Sequence, residues 1–425
     1  MIERQAHPLA TSPLALKVML TALAMLMTLT GVTFHLASQN GQGGIFVDFH
    51  AFYAAGSLAL EGRSGDAYRM ATMEVVQQQM AGHETFMPWT YPPPFTLFVA
   101  GLAALPLGLG YALFTGISLA AYLLMLRRIA GDWLPGLVLV LLPVLVLGVI
   151  TGQNGFLTGA LTGWFVLALL ARKPGAGLPL GLMIIKPHLA AGIALLTLAQ
   201  RRWQAVGIAA VVVLAALLIP TLVFGLPIWT AFADGVRESG ALLAEGRYPM
   251  HRMTSPYAFA LGLGAAPELA FAVQGVSALS AIGLLGLAWH RRLPPRLLAA
   301  CACTATLFVS PYAYDYDLTL LGVALALVLP DLLQRTGWAE QAAMLMLAWA
   351  ATGYGLIASL LGNGEAVRVA QQPLALMAPL LLVLIGWAAM AMRRRLLTRP
   401  DIAAAAPGAV DPVPVGALGT VSAAL

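Results

Sequence analysis

The chain has 425 residues, of which 60% are hydrophobic and 10% charged, with a mean hydropathy of +0.84 and a formal net charge of +5. So much apolar surface excludes an ordinary soluble enzyme, and the positive charge sits in short clusters between apolar runs, a pattern of membrane topology and not of nucleic-acid binding. Backbone groups in lipid must satisfy one another, so such a chain crosses as helices of roughly 20 apolar residues or as a closed barrel. The short alternating strands of a barrel are absent, which leaves an all-α polytopic membrane protein as the expected fold class.

The first apolar run, residues 14–36, with Arg4 ahead of it and Lys17 near its start, reads as an anchor with a cytoplasmic N-terminus. It exceeds the ~7–15 apolar residues of a signal peptide and lacks a small-residue cleavage site. Residues 37–90 form a polar first outer loop, expected to hold amphipathic helices and carrying Asp48, Glu61, Arg63, Asp66, Glu74 and Glu84. Further apolar runs at 93–109, 111–126, 134–150, 155–171, 177–199, 205–225, 258–289, 297–309, 318–333, 341–361 and 374–392 bring the expectation to about twelve spans. Residues 226–257 form a second long outer loop of mixed charge. Cys301 and Cys303 lie two apart in an apolar stretch, on different helix faces, and read as packing residues. One integral-membrane domain is expected over 1–399, followed by a flexible tail at 400–425 rich in Ala, Pro, Gly and Val.

The basic clusters test this count. Arg201-Arg202, Arg291-Arg292 and Arg393-Arg394-Arg395 fall on the cytoplasmic side, but twelve simple crossings put Arg127-Arg128 and Arg172-Lys173 outside. Two explanations stand. Either 93–109 and 177–199 are re-entrant or broken, with Lys186-Pro187 supplying a break, or outward basic residues hold an anionic lipid headgroup.

Asp48, just beyond the first span, is a candidate general base at the membrane surface. It is equally suited to cap a helix beginning at Phe49, with Val47 and Phe52 as a hydrophobic staple. His50, Tyr53, Arg63 and Tyr68 share its loop and are candidate cleft residues, against an interfacial role common for such side chains. Trp89-Thr90-Tyr91 reads as an aromatic belt element, and the prolines at 92–94 force an extended lead into the next span. Gly152-Gln153-Asn154-Gly155 reads as a tight turn. Lys186-Pro187-His188 interrupts an apolar run with two ionisable groups, which are costly there unless paired, snorkelling or facing a cavity. The segment Ser310–Asp317 sets Tyr312, Tyr314 and Tyr316 beside Asp315 and Asp317, groups suited to sugar hydroxyls and to apolar ring faces. No glycine-rich phosphate loop, no Cys/His zinc spacing and no Asp-x-Asp pair in the first outer loop is present.

In their order along the chain, Asp48-Phe49 with Tyr53-Ala54-Ala55-Gly56, Tyr91-Pro92-Pro93, Gly152-Gln153, Gly181 through Lys186-Pro187-His188, and Ser310-Pro311 ahead of Tyr316-Asp317-Leu318 resemble glycosyltransferase family 87. This is the integral-membrane group, within the GT-C superfamily, that includes polyprenol-phosphate-mannose-dependent mannosyltransferases. The resemblance runs over roughly 14–392. It implies an inverting, metal-independent transfer of a sugar, mannose foremost, from a polyprenyl-phosphate donor to an acceptor hydroxyl on a lipid or glycan, with no cofactor. It places the protein in a bacterial inner membrane with the site facing the periplasm, among membrane lipids and without nucleic acid. Asp48 matches the family's first-loop base, and Lys186, Arg127, Arg172 and Arg252 are, in that order, candidates to balance the departing phosphate. His50, Tyr53, Tyr91, His188, Tyr314, Asp315 and Asp317 complete the candidate substrate contacts. Members often carry a histidine in the segment matching 310–317, where this chain has Asp315, Tyr316 and Asp317. A transporter, flippase or polymerase of lipid-linked sugars is the alternative, and Lys186-Pro187-His188 is the feature favouring it.

Overall fold

The computed structural model describes residues 8–40, 46–361 and 372–394, and these are helical throughout apart from turns and one isolated antiparallel bridge between Met253 and Tyr314. The protein is all-α and polytopic, as expected; the tail at 400–425 lies outside the described residues. Six stretches among those described are long and apolar enough to cross a membrane: Pro13–Ala37, Leu107–Thr151, Trp203–Phe224, Pro267–His290, Asp315–Leu333 and Trp338–Leu361.

Helix α1 (Pro13–Asn40) is followed by the outer-loop helices α2 (Asp48–Leu60) and α3 (Met70–Ala81). Only α3 has the expected amphipathic face, with Met73, Gln77 and Ala81 buried at intervals of four. By contrast α2 is buried on most sides, and its Gly56 lies so close to α4 (Pro93–Ala103) that a Cβ there would strike the Val99 carbonyl. Pro93 opens α4 at its first turn, where the missing N–H costs nothing.

The direction of each crossing follows from contacts between small residues. At the C-terminal end of α1, Gly31 meets Tyr111 near the start of α5 (Leu107–Ala130), while Ala10, just ahead of α1, meets Gly136 at the start of α6 (Leu134–Thr151). So α5 runs antiparallel to α1, and the turn after Arg127-Arg128 lies at the end of the molecule where α1 begins. The far end of α6 returns to Asp48's end: Gly152, left-handed at φ +63, sits against Phe49 and Tyr111. From there α7 (Gly155–Leu170) runs alongside α5, with Gly163 on Met125, and delivers Arg172-Lys173 to the same end as Arg127.

The run 177–199 is a broken hairpin. Its first arm holds α8 (Gly177–Leu182) and a 3-10 turn at Met183–Ile185; its second holds a 3-10 turn at Pro187–Ala190 and α9 (Ala191–Ala199). Pro187 disfavours helical backbone in the residue before it, and Lys186 is accordingly extended at φ −144, ψ 74. Both feet of the hairpin open on one cavity lined by Arg172, Lys173, Arg201 and Arg202, whereas its tip reaches Asp317 near Asp48. The re-entrant explanation therefore accounts for the basic pairs: α4 stays at Asp48's end, 177–199 turns back, and Arg127-Arg128 and Arg172-Lys173 lie at the opposite end from Asp48.

The remaining helices are α10 (Trp203–Phe224), α11 (Pro227–Ala244), α12 (Pro256–Gly262), α13 (Pro267–His290), α14 (Pro295–Thr306), α15 (Thr319–Leu333), α16 (Trp338–Leu361) and α17 (Met377–Arg393). A central layer of α5, α6, α7 and α15 carries the main core, including Tyr122, Leu141, Phe165 and Val323. At the periphery α1, α10 and α13 leave rows such as Val211, Leu214, Leu218 and Leu222 exposed, a surface stable only where lipid replaces water.

Candidate active site

Asp48 stands at the start of α2, and the structure corrects the reading that it caps that helix. Val47, extended at φ −128, ψ 173, occupies the cap; Asp48 is the first helical residue, and its carboxylate reaches away from the backbone. Its Oδ1 accepts a hydrogen bond from Gln153 Nε2 at 2.9 Å, and its Oδ2 lies 3.7 Å from an Arg252 guanidinium nitrogen. That Oδ2 is buried with no hydrogen-bond partner, although the side chain as a whole remains 14% exposed. A lone pair held in place and left unfilled is what a proton acceptor requires.

Gln153 is the hinge of the arrangement. It follows the left-handed Gly152, and its Oε1 accepts from the Tyr91 hydroxyl at 2.9 Å and from the Asn154 backbone at 2.8 Å. With both oxygen lone pairs engaged, its amide is oriented so that the NH2 must face Asp48. Tyr91 is packed against Phe52, Trp89 and Phe95, and its backbone carbonyl accepts from the Tyr68 hydroxyl. Burial, with the charges of Asp317 and Asp48 behind it, pushes the Tyr91 phenol well above its ordinary range, so it stays protonated and donates to Gln153.

Two buried ion pairs flank Asp48. Arg252 binds Asp315 with two bonds, Nε to Oδ2 at 3.0 Å and a terminal nitrogen to Oδ1 at 3.1 Å. Burial works against its charge, but the carboxylates of Asp315 and Asp48 outweigh that and hold the guanidinium above its ordinary range. Lys186 binds Asp317 Oδ1 at 2.8 Å, with the ammonium 4.4 Å from the centre of the Tyr316 ring. Both Asp315 and Asp317 are fully buried, and each also accepts a bond from backbone: Tyr316 N–H to Asp315, Tyr314 N–H to Asp317. Desolvating these charges is costly, and only this full set of partners makes it tolerable. Three carboxylates thus face two cations, and Asp48 is the least compensated of the three.

Local structure brings these groups together. Asp317 closes its own 3-10 turn, Asp315–Leu318, by bonding the Tyr314 amide. The bridge at Met253 and Tyr314, with Thr254 N–H to the Ala313 carbonyl at 2.8 Å, stitches the second outer loop to that turn and sets Arg252 beside Asp315. Gly155 rests on the Tyr316 carbonyl, too close to admit a Cβ, and Gly355 of α16 packs on Asp315.

Of the sequence-proposed residues, Asp48, Tyr91, Lys186, Arg252, Asp315 and Asp317 form this one network, and Tyr314 stacks on Tyr316 at 5.4 Å beside it. His188 follows Lys186 at the hairpin tip and leaves Nε2 buried without a partner. His50 and Tyr53 bond elsewhere. The His50 ring packs on Phe34 and Phe46, its Nδ1 accepts the Val47 N–H at 3.3 Å, and burial pushes its pKa down to about 4. The Tyr53 hydroxyl donates to the Leu105 carbonyl at 3.0 Å. Arg127 and Arg172 lie at the far end and cannot reach a phosphate held near Asp48. Reading Gly152–Gly155 as a turn overlooked Gln153 and Asn154. Asn154 is wholly buried with neither side-chain atom bonded. The available signal was the presence of two amides between long apolar runs.

A carboxylate with an unfilled oxygen, in a membrane-embedded bundle beside buried cations, has the chemistry to accept a proton and to balance a developing anion. The chain belongs to glycosyltransferase family 87, whose family model matches residues 89–311, just over half of the sequence. It is accordingly a glycosyltransferase of the GT-C-like membrane kind. The match includes Tyr91, Gln153, Lys186 and Arg252 and leaves Asp48, Asp315 and Asp317 outside it; the bonds above join the two sets. No curated protein and no solved structure matches the chain.

Proposed function

We propose that the protein transfers a sugar, mannose foremost, from a polyprenyl-phosphate donor to a hydroxyl of a lipid or glycan acceptor, without a metal or other cofactor. Asp48 Oδ2 takes the proton of the acceptor hydroxyl as that oxygen attacks the anomeric carbon. The bond from that carbon to the phosphate oxygen breaks, polyprenyl phosphate leaves with the electron pair, and the anomeric centre inverts. Because the leaving group departs as a stabilised anion, it needs charge balance more than a proton, and Lys186 and Arg252 are the cations that supply it. Tyr91, His188, Tyr314, Asp315 and Asp317 line or orient the donor side. The observation that carries this reading is the unfilled, buried Oδ2 of Asp48 within reach of Arg252 in a chain of this family.

A cavity of about 680 Å³ at the same end of the molecule, lined by Arg63, Asp66, Tyr68, Asp234 and Glu238 among others, offers room for the acceptor. Tyr68 joins its wall to Tyr91 and so to Gln153 and Asp48. The gathering of Arg127, Arg172 and Arg201 at the opposite end supports a site on the outer, periplasmic face of a bacterial inner membrane.

The test is transfer from polyprenyl-phosphate-mannose by purified protein in liposomes, read by mass spectrometry of the acceptor. A new glycosidic bond that disappears with Asp48→Asn is the expected result. Movement of labelled lipid across the bilayer with no new bond would instead favour a transporter, and full activity in well-folded Asp48→Asn would remove the base.

A further inference from the structure

The end of the molecule opposite Asp48 holds a second cavity, of about 300 Å³, between the two feet of the broken hairpin. Arg172 and Lys173 line it from one foot, Arg201 and Arg202 from the other, with Leu169 and Trp203 completing the wall. No acid lines it. Among the described residues none of the four cations pairs with a carboxylate, whereas Arg63, Arg69 and Arg237 near the outer cavity all do. Trp203 is 63% exposed and opens α10, a helix whose apolar rows face lipid, so the indole stands where a membrane interface meets the bundle.

The backbone directs these charges into the cavity. Arg172 and Arg201 are both left-handed, at φ 55 and φ 53, and each ends a helix in the same turn: Lys173 N–H reaches the Ala168 carbonyl at 2.9 Å, Arg202 N–H the Thr197 carbonyl at 3.1 Å. Glycine holds that conformation at lower cost. Arg292, at φ 53, makes the same turn after α13, but Arg291 and Arg292 line neither of these cavities. The molecule thus contains its own control: a basic pair on the same turn outside this cavity.

We propose that this cavity seats the phosphate headgroup of one anionic phospholipid from the inner leaflet, with its glycerol and upper acyl carbons against Leu169 and Trp203. Four cations with no carboxylate partner among the described residues crowd two chain segments and repel one another, and a bound phosphate turns that repulsion into a clamp. The clamped segments are the feet of the hairpin whose tip holds Lys186. The bound lipid therefore stabilises the hairpin from the end opposite the site.

The experiment compares the full-length protein in phosphatidylcholine vesicles with and without phosphatidylglycerol, reading thermal unfolding and, by native mass spectrometry, lipid retained. Phosphatidylglycerol should raise the melting temperature and leave one tightly held lipid. Arg172→Gln with Arg201→Gln should abolish both effects, while Arg291→Gln with Arg292→Gln should keep them. If the first double variant fails to fold, Lys173→Gln provides a milder probe, with retention weaker by about fivefold for the one cation lost. Equal losses in the Arg291/Arg292 variant would overturn the proposal in favour of diffuse surface charge. A full stabilisation by inorganic phosphate in phosphatidylcholine would overturn it in favour of a free-anion site, and an unchanged Lys173→Gln would do so outright. None of these readings depends on sugar transfer.

Discussion

Asp48 and His50 are two residues apart on one helical turn, yet they belong to different worlds. Asp48 joins a charged network assembled from five distant segments, in which every carboxylate oxygen except its own Oδ2 has a hydrogen-bond partner. His50 and Tyr53 enter an aromatic nest with Phe34, Phe46 and Phe49, where their polar atoms bond only backbone groups, Val47 N–H and the Leu105 carbonyl. The contrast teaches that ionisable character in a loop is not evidence of a shared site. What separates the two regions is whether a charge is left with capacity to spare.

That contrast exposes itself to measurement. Asp48→Asn keeps the shape and removes the base, so transfer should fall by about 10²–10⁴-fold with the melting temperature nearly unchanged; equal transfer by folded variant protein would erase the distinction. Lys186→Met strands Asp317 in the interior, and a loss of about 3–5 kcal/mol is expected in denaturant or thermal unfolding. Adding Asp317→Leu to it should recover much of that stability, but not transfer.

On the aromatic side the sensitive variable is pH. Burial pushes the folded His50 down to about 4 from the ordinary 6.5 of a histidine, so the unfolded chain takes up its proton first. Stability from this residue is complete above pH 6.5 and is lost as pH falls from there toward 4, by about 3 kcal/mol in all. His50→Leu should flatten that limb of the stability profile, and a limb that persists would assign it to another group. Gln153→Leu removes the bond that aims Asp48; a loss of about 10- to 100-fold in transfer follows from the usual worth of a hydrogen bond to a charge. The smallest effect belongs to Tyr53→Phe, about 1 kcal/mol of stability and no change in transfer.

Much of the architecture was legible in the sequence because hydropathy is local. The apolar runs became helix, with 258–289 divided at 263–266 and 177–199 at the break that Lys186-Pro187 announced. The conflict between twelve simple crossings and the basic pairs at 127 and 172 was also visible, but its resolution needed Gly31 on Tyr111 and Gly163 on Met125, contacts between helices far apart in the chain. The site was legible in part for the same reason. Asp48, Lys186 and the 315–317 segment stood out as costly charges beside apolar spans. Gln153 did not, because an uncharged amide after glycine resembles any turn until its 105-residue reach to Asp48 is known.

The sequence alone determined that this chain lives in a membrane as helices and which of its charges are expensive enough to need a reason. Only the tertiary structure decided which reason each has. Burial sets the cost of a charge, and burial is nearly readable from the apolar stretches around it; compensation depends on partners 63, 105 and 131 residues away, which no local pattern encodes.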